Sequence, residues 1–335
     1  MRSSCFLVAV ALSLVGANAR AASQGDWFAS LYTGEGVELR NDERVFVLFA
    51  VLNAVGFDQG PVTRATPVPK VAYHPVRQQV RARVLGADPE VRRAVDAFFD
   101  AHPAALSKYL SWAVQADAAP FASGAKSKDL AELKGFEQVL ARAWTGWKLD
   151  EVLGQTQGEY RAALKAYLSV IDAPLEKARA MLKVPEATQP VLVVNLLDAH
   201  HEVRAVAGEG SQVFLIVGPS DKPNVEGLVR EFARLSIEPV VAKQVAKWAG
   251  GAAVLREAQL AGATEQTVQD FASSILSRAV ALRALGAGDA ELEAAAAKGA
   301  FGIKDVAKLF EEGKPLEGLV LEAMQKIETR RPAKK

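Results

Sequence analysis

Ile216-Val217-Gly218-Pro219 is followed, after a short turn, by Val225-Glu226-Gly227-Leu228-Val229-Arg230-Glu231-Phe232-Ala233-Arg234-Leu235-Ser236-Ile237-Glu238-Pro239. A β-branched run gives way here to a helical pattern. At about 100° per residue, Val225, Leu228, Val229, Phe232 and Leu235 share one apolar face, while Glu226, Arg230, Glu231, Arg234 and Glu238 share the other. Asn224 is placed to cap this helix, and Pro239 limits its regular stretch to 224–237. Glu226, Arg230, Arg234 and Glu238 are successive i,i+4 neighbours. On a solvated face they form a charge ladder worth roughly 0.3–0.5 kcal/mol per favourable pair, the simplest reading of this helix taken alone.

Upstream, Val191 to Leu197, Glu202 to Ala207 and Gln212 to Val217 are short runs separated by Asp198-Ala199-His200-His201 and Gly208-Glu209-Gly210-Ser211. They predict a three-stranded antiparallel meander. Further upstream the pattern is helical. Asn41 to Gly56 has an Asx cap, Asp42 and Glu43 in its first turn, and Val45, Leu48, Phe49 and Leu52 at helical spacing. A turn-rich stretch with Pro61, Pro67, Pro69 and Pro75 follows, and Asp88 and Pro89 then open a helix burying Val91, Val95, Phe98 and Phe99. Helices are expected at 103–116, 127–144 and 149–183, and after the central helix at 240–249, 252–260, 264–286, 288–298, 303–312 and 315–328. The fold class is α+β, mainly α. The division is a helical lobe at 26–187, a core at 188–286, further helices at 287–328 and a mobile tail at 329–335.

The first residues read as a secretory signal peptide over 1–19: Arg2 in the n-region, Phe6 to Val15 as the apolar stretch, and Ala17-Asn18-Ala19 as the cleavage site. The apolar run is too short to cross a bilayer, which needs about 20 residues, so cleavage rather than anchoring is expected, with release to the periplasm or the extracellular space. Cys5, the only cysteine, lies within it, so the mature chain has no thiol for a disulfide or a metal. The whole chain carries 40 basic and 39 acidic side chains, and loss of Arg2 balances them. That balance argues against a nucleic-acid partner, and no later apolar run is long enough to be a transmembrane segment.

Familiar signatures of chemistry are missing. Gly34-Glu35-Gly36 and Gly208-Glu209-Gly210 lack the third glycine and the strand-to-helix context of a dinucleotide fingerprint, and neither a Walker loop nor a G-x-S-x-G elbow occurs. The four histidines are His74, His102, His200 and His201. The adjacent pair at a strand edge points to opposite faces, so one ion could hardly take both.

The strand-to-helix stretch at 216–239 resembles a family of uncharacterised secreted bacterial proteins with a zincin-like, gluzincin-type peptidase core. There the corresponding helix reads His-Glu-Phe-x-His, followed shortly by Asn-Pro. Arg230 and Arg234 fall at the two zinc-binding histidines, and Glu231 at the general base. The 41–56 helix, introduced by Gly36-Val37-Glu38-Leu39, and the 88–117 helices are similar to the family's N-terminal region. The resemblance implies a zincin-like core at 188–286 and an acidic third ligand on the 264–286 helix. Ser274 stands at that ligand position, Arg278 in the pair after it, and Asp270 one turn earlier.

Two histidines at i and i+4 would give zinc two neutral ligands and leave glutamate to activate its water. Arginine stays protonated and has no lone pair to offer, so these residues imply no metal, no cofactor and no catalysis. What remains on that face is a surface suited to an anionic or peptide ligand at Arg230 and Arg234, or a structural remnant. Two other readings stay open: a hydrolase with an unrecognised metal-free site, and a helical scaffold with no peptidase ancestry. The signal assignment predicts that protein recovered outside the cytoplasm begins near Arg20; N-terminal sequencing that starts at Met1 refutes it.

Overall fold

Gln212-Val213-Phe214-Leu215-Ile216-Val217 is apolar on both faces, and such a strand is stable only where both faces are covered. In the computed structural model, which describes residues 31–32, 36–56, 73–311 and 314–329, it occupies an interior position of a mixed sheet. The expected signal peptide and the tail beyond Thr329 lie outside the described residues. The strands are β1 (Leu31–Tyr32), β2 (Glu38–Arg40), β3 (Gln189–Val194), β4 (Val203–Ala207) and β5 (Gln212–Val217), in the order β1-β2-β3-β5-β4. β2, β3 and β5 run parallel, while β1 and β4 are antiparallel at the two edges.

This corrects the expected meander of three antiparallel strands. β4 does pair antiparallel with β5, but it folds to the outer side, which leaves β5 free to run parallel beside β3. The composition explains the choice. β4 carries Arg204 and is only partly buried, so it tolerates the edge, whereas the last four residues of β5 are fully buried.

The helices preceding β3 are α1 (Glu43–Val55), α2 (Pro75–Leu85), α3 (Pro89–Ala101), α4 (Leu106–Gln115), α5 (Phe136–Gly146), α6 (Leu149–Gln155), α7 (Gln157–Tyr167) and α8 (Asp172–Leu182). After β5 come α9 (Val225–Gln244), α10 (Gly251–Leu260), α11 (Val268–Ala284), α12 (Asp289–Ala297), α13 (Ile303–Glu311) and α14 (Leu316–Thr329). The chain is thus α+β and mainly α, with the buried apolar side chains joined in one continuous cluster. The 149–183 stretch is three helices, not one. α2 falls where only turns were expected, with His74 Nδ1 accepting from the Val76 N–H as its cap and Pro75 at its first position, where the missing N–H costs nothing.

α9 is the central helix. It lies along α11 and touches β4, β5, α8 and α14. Leu228, Val229, Phe232, Ala233, Ile237 and Val241 are buried, while Val225 and Leu235 are only partly so. The buried arc is therefore wider than one stripe and rotated away from Leu235, because neighbours cover the helix on more than one side. α9 also runs on past Pro239, which is exposed to solvent.

At the start of α1 the cap is Asp42, one residue later than the sequence suggests; its carboxylate accepts from the Arg44 N–H at 3.0 Å. That side chain is wholly buried between Arg40 Nη2 at 2.9 Å and Arg44 Nη2 at 2.6 Å. Arg44 also donates to the carbonyls of Val114 and Ala116 at the end of α4, and both guanidiniums lie over the Phe214 ring, at 5.0 and 5.6 Å. One carboxylate thus ties β2, α1, α4 and β5 together. Burial opposes its ionisation, yet Arg44 and then Arg40 outweigh burial and hold its pKa down at about 2, against an ordinary 3.8. A depressed carboxylate stabilises the fold fully above pH 3.8 and loses that contribution as pH falls through 2. Asp42→Asn is expected to lower stability at pH 7 by roughly 2 kcal/mol and to flatten the parent's decline between those two pH values, measured by urea unfolding across that window.

Candidate functional site

Arg230, Glu231 and Arg234 project from α9, and Asp270, Ser274 and Arg278 from α11. Because the two helices lie side by side, residues far apart in sequence meet along one seam. Arg234 spans it. Its Nε is 3.4 Å from Glu238 Oε2 on its own helix, and its Nη2 is 3.4 Å from Asp270 Oδ1 on α11. Arg278 crosses in the other direction, with Nε 3.6 Å from Glu226 Oε1. Arg230 holds Glu231 at 3.4 Å.

Of the i,i+4 ladder, only the Arg234–Glu238 rung forms. Glu226 pairs across the seam instead of with Arg230. The seam sets three guanidiniums against four carboxylates and carries no cationic excess. Glu231 is the most enclosed of them, with 17% of its side chain exposed. Burial raises its pKa, and the charges of Arg230 and Arg234 oppose that rise without cancelling it.

Asp270 is held from its own helix as well: Thr267 Oγ1 donates to Asp270 Oδ2 at 2.7 Å and accepts from the Asp270 N–H at 3.0 Å, capping α11. Ser274 sits between the two ion-paired positions, partly buried, and its carbonyl accepts from Ser277 Oγ at 3.2 Å. The donor set does not fit zinc. Four carboxylates are present, but each lies against a guanidinium that repels a cation and already uses the carboxylate's lone pairs. Among the described residues, no group of three or more His, Cys, Asp or Glu side chains is placed to hold a metal ion.

The histidines take other roles. His74 caps α2, and burial lowers its pKa, with the nearby His200 adding to the effect and Glu159 opposing it. His102 stacks on Phe98, with Nδ1 3.0 Å from the Phe98 carbonyl. His201 Nδ1 comes within 3.0 Å of Ser220 Oγ, a pairing with the look of a nucleophile and its base. Ser220 Oγ also donates to the Lys222 carbonyl, which competes with the ring nitrogen for the hydroxyl proton.

The buried cluster Arg40-Asp42-Arg44 was not singled out by sequence reasoning. Its signal was present only as an Asx cap flanked by arginines at i−2 and i+2. The chain matches no known protein family, no curated protein and no solved structure.

The pairs in the seam are about one-third exposed, so each is worth only some tenths of a kcal/mol. Arg234→Ala is expected to cost about 1 kcal/mol, and a double-mutant cycle with Asp270→Ala should return a coupling of about 0.5 kcal/mol that shrinks in high salt. Zero coupling in denaturant unfolding at low salt would mean the contact contributes nothing.

Proposed function

We propose that this is an exported, non-catalytic protein with a zincin-like core, in which the helix position that would hold zinc now carries an interhelical electrostatic clasp. The observation that carries this reading is Arg234, which bridges Glu238 on α9 and Asp270 on α11. A second histidine ligand would be expected there on the resemblance. Instead a permanently charged guanidinium joins the two helices.

The charge balance supports structural use over capture of an anion. A carboxylate or peptide ligand would have to displace partners that Arg234 and Arg278 already hold. Arg230, with 41% of its side chain exposed, is the member most open to a ligand, yet it too lies against Glu231. Packing of a mixed sheet against α9 weighs against a helical scaffold built only from stacked helix pairs. Release to the periplasm or outside the cell follows from the N-terminal pattern at 1–19, and it is part of this proposal.

The test is restoration of the ligand set. Arg230→His, Arg234→His and Ser274→Glu together supply two imidazoles and a carboxylate, the set a gluzincin-type site needs. The folded triple variant is expected to bind zinc measurably more tightly than the parent in calorimetric titration, whereas neither single histidine change does so. Either leaves a guanidinium beside the ion. A folded triple variant with no gain over the parent defeats the residue-by-residue comparison and leaves the seam as an ordinary pair of salt-bridged helices.

A further inference from the structure

A second arginine cluster lines a cavity in the first half of the chain. α1, α2 and the start of α3 enclose a cavity of about 220 Å³. Its walls are Ala50, Ala54, Val80 and Val84, and its polar lining is Asn53 with Arg77, Arg81 and Arg92. None of the described lining residues is acidic.

The three guanidiniums differ in setting. Arg77 is only 7% exposed and is built into the wall: its Nη1 donates to the Leu197 carbonyl at 3.1 Å, and its Cζ lies 3.7 Å above the Tyr73 ring. Arg92 is half exposed and has Asp96 at 3.9 Å, a loose contact. Arg81 is exposed and makes no ion pair among the described residues. The cavity also borders Gly56, where α1 ends. The carbonyl end of a helix attracts cations with about half a unit of charge, which helps gather the arginines without neutralising them.

We propose that this cavity binds a small monocarboxylate with an apolar body, its carboxylate held at the mouth by Arg81 and Arg92 and its body against Ala50, Ala54, Val80 and Val84. The interior is the right size: an apolar cavity of about 150 Å³ already accepts benzene, so 220 Å³ takes a ring or a short chain together with part of its carboxylate. The mouth has the right chemistry. Guanidinium forks match carboxylate oxygens, and a site partly shielded from water strengthens that attraction. A bare inorganic anion would satisfy the mouth while leaving the apolar interior unfilled, and a neutral apolar molecule would do the reverse.

Binding of benzoate and hexanoate to the full mature chain, followed by calorimetry, tests the proposal, with benzamide and inorganic phosphate as the contrasting probes. The expected result is saturable binding of a carboxylate at least about tenfold tighter than benzamide or phosphate. Arg81→Ala with Arg92→Ala should weaken carboxylate binding by about tenfold or more, since both side chains are exposed and their loss spares the core. Ala54→Leu, which fills the interior but keeps every arginine, should weaken it too. Circular dichroism and thermal melting establish that each variant is folded. Absence of saturable carboxylate binding overturns the proposal, as do benzamide binding as tight as benzoate, phosphate binding as tight as either carboxylate, or affinity unchanged in the folded arginine variant.

Discussion

The structure depends on how completely α9 is enclosed. Leu228, Val229, Phe232, Ala233, Ile237 and Val241 reach more than one neighbouring layer, so the helix joins the sheet to α11 and α14 rather than lying on top of either. Burying Phe232, Ile237 and the leucine and valine side chains is worth roughly 1.5–3 kcal/mol each, far more than any ion pair along the same helix. Apolar burial therefore places the two helices, and the charges at their seam adjust to where packing has put them. This explains why Arg278 finds Glu226 and why the in-helix ladder is mostly not formed.

Arginine does three different things here, and its neighbours decide which. At Asp42, two guanidiniums surround a buried carboxylate and stack on Phe214, so the cluster locks a strand-to-helix junction. At the α9–α11 seam, carboxylates match or outnumber guanidiniums, and the result is a partly solvated clasp. Around the α1–α2 cavity, arginines stand beside apolar walls, and the carboxylate within reach of Arg92, that of Asp96, is only loosely held. The same side chain is a lock, a clasp or a receptor for an anion according to the local supply of negative charge.

A resemblance along one helix would not by itself bring chemistry with it, since activity belongs to a site and not to a scaffold. Packing alone brings side chains on α9 and α11 face to face. Geometry of that kind is maintained by apolar packing and does not depend on which polar residues line the seam.

Much of the helical pattern was legible in the sequence, because period and caps act within a few residues. Asn224 before α9 and Asp88-Pro89 before α3 each announce a start by local hydrogen bonding. Proline misled twice, at Pro75, which opens α2, and at Pro239, which α9 passes on its solvent side. The arrangement of β3, β4 and β5 was not legible: strand runs in a row announce pairing but not partners, and the order β3-β5-β4 follows from which strand must be covered on both faces. The candidate residues on α9 and α11 could be named from sequence, one helix at a time. That Arg234 would meet Asp270, that Arg40 and Arg44 would enclose Asp42 over Phe214, and that Arg77, Arg81 and Arg92 would ring one cavity was decided only by tertiary structure, because those contacts join elements whose approach is set by the shared core and not by anything either segment encodes alone.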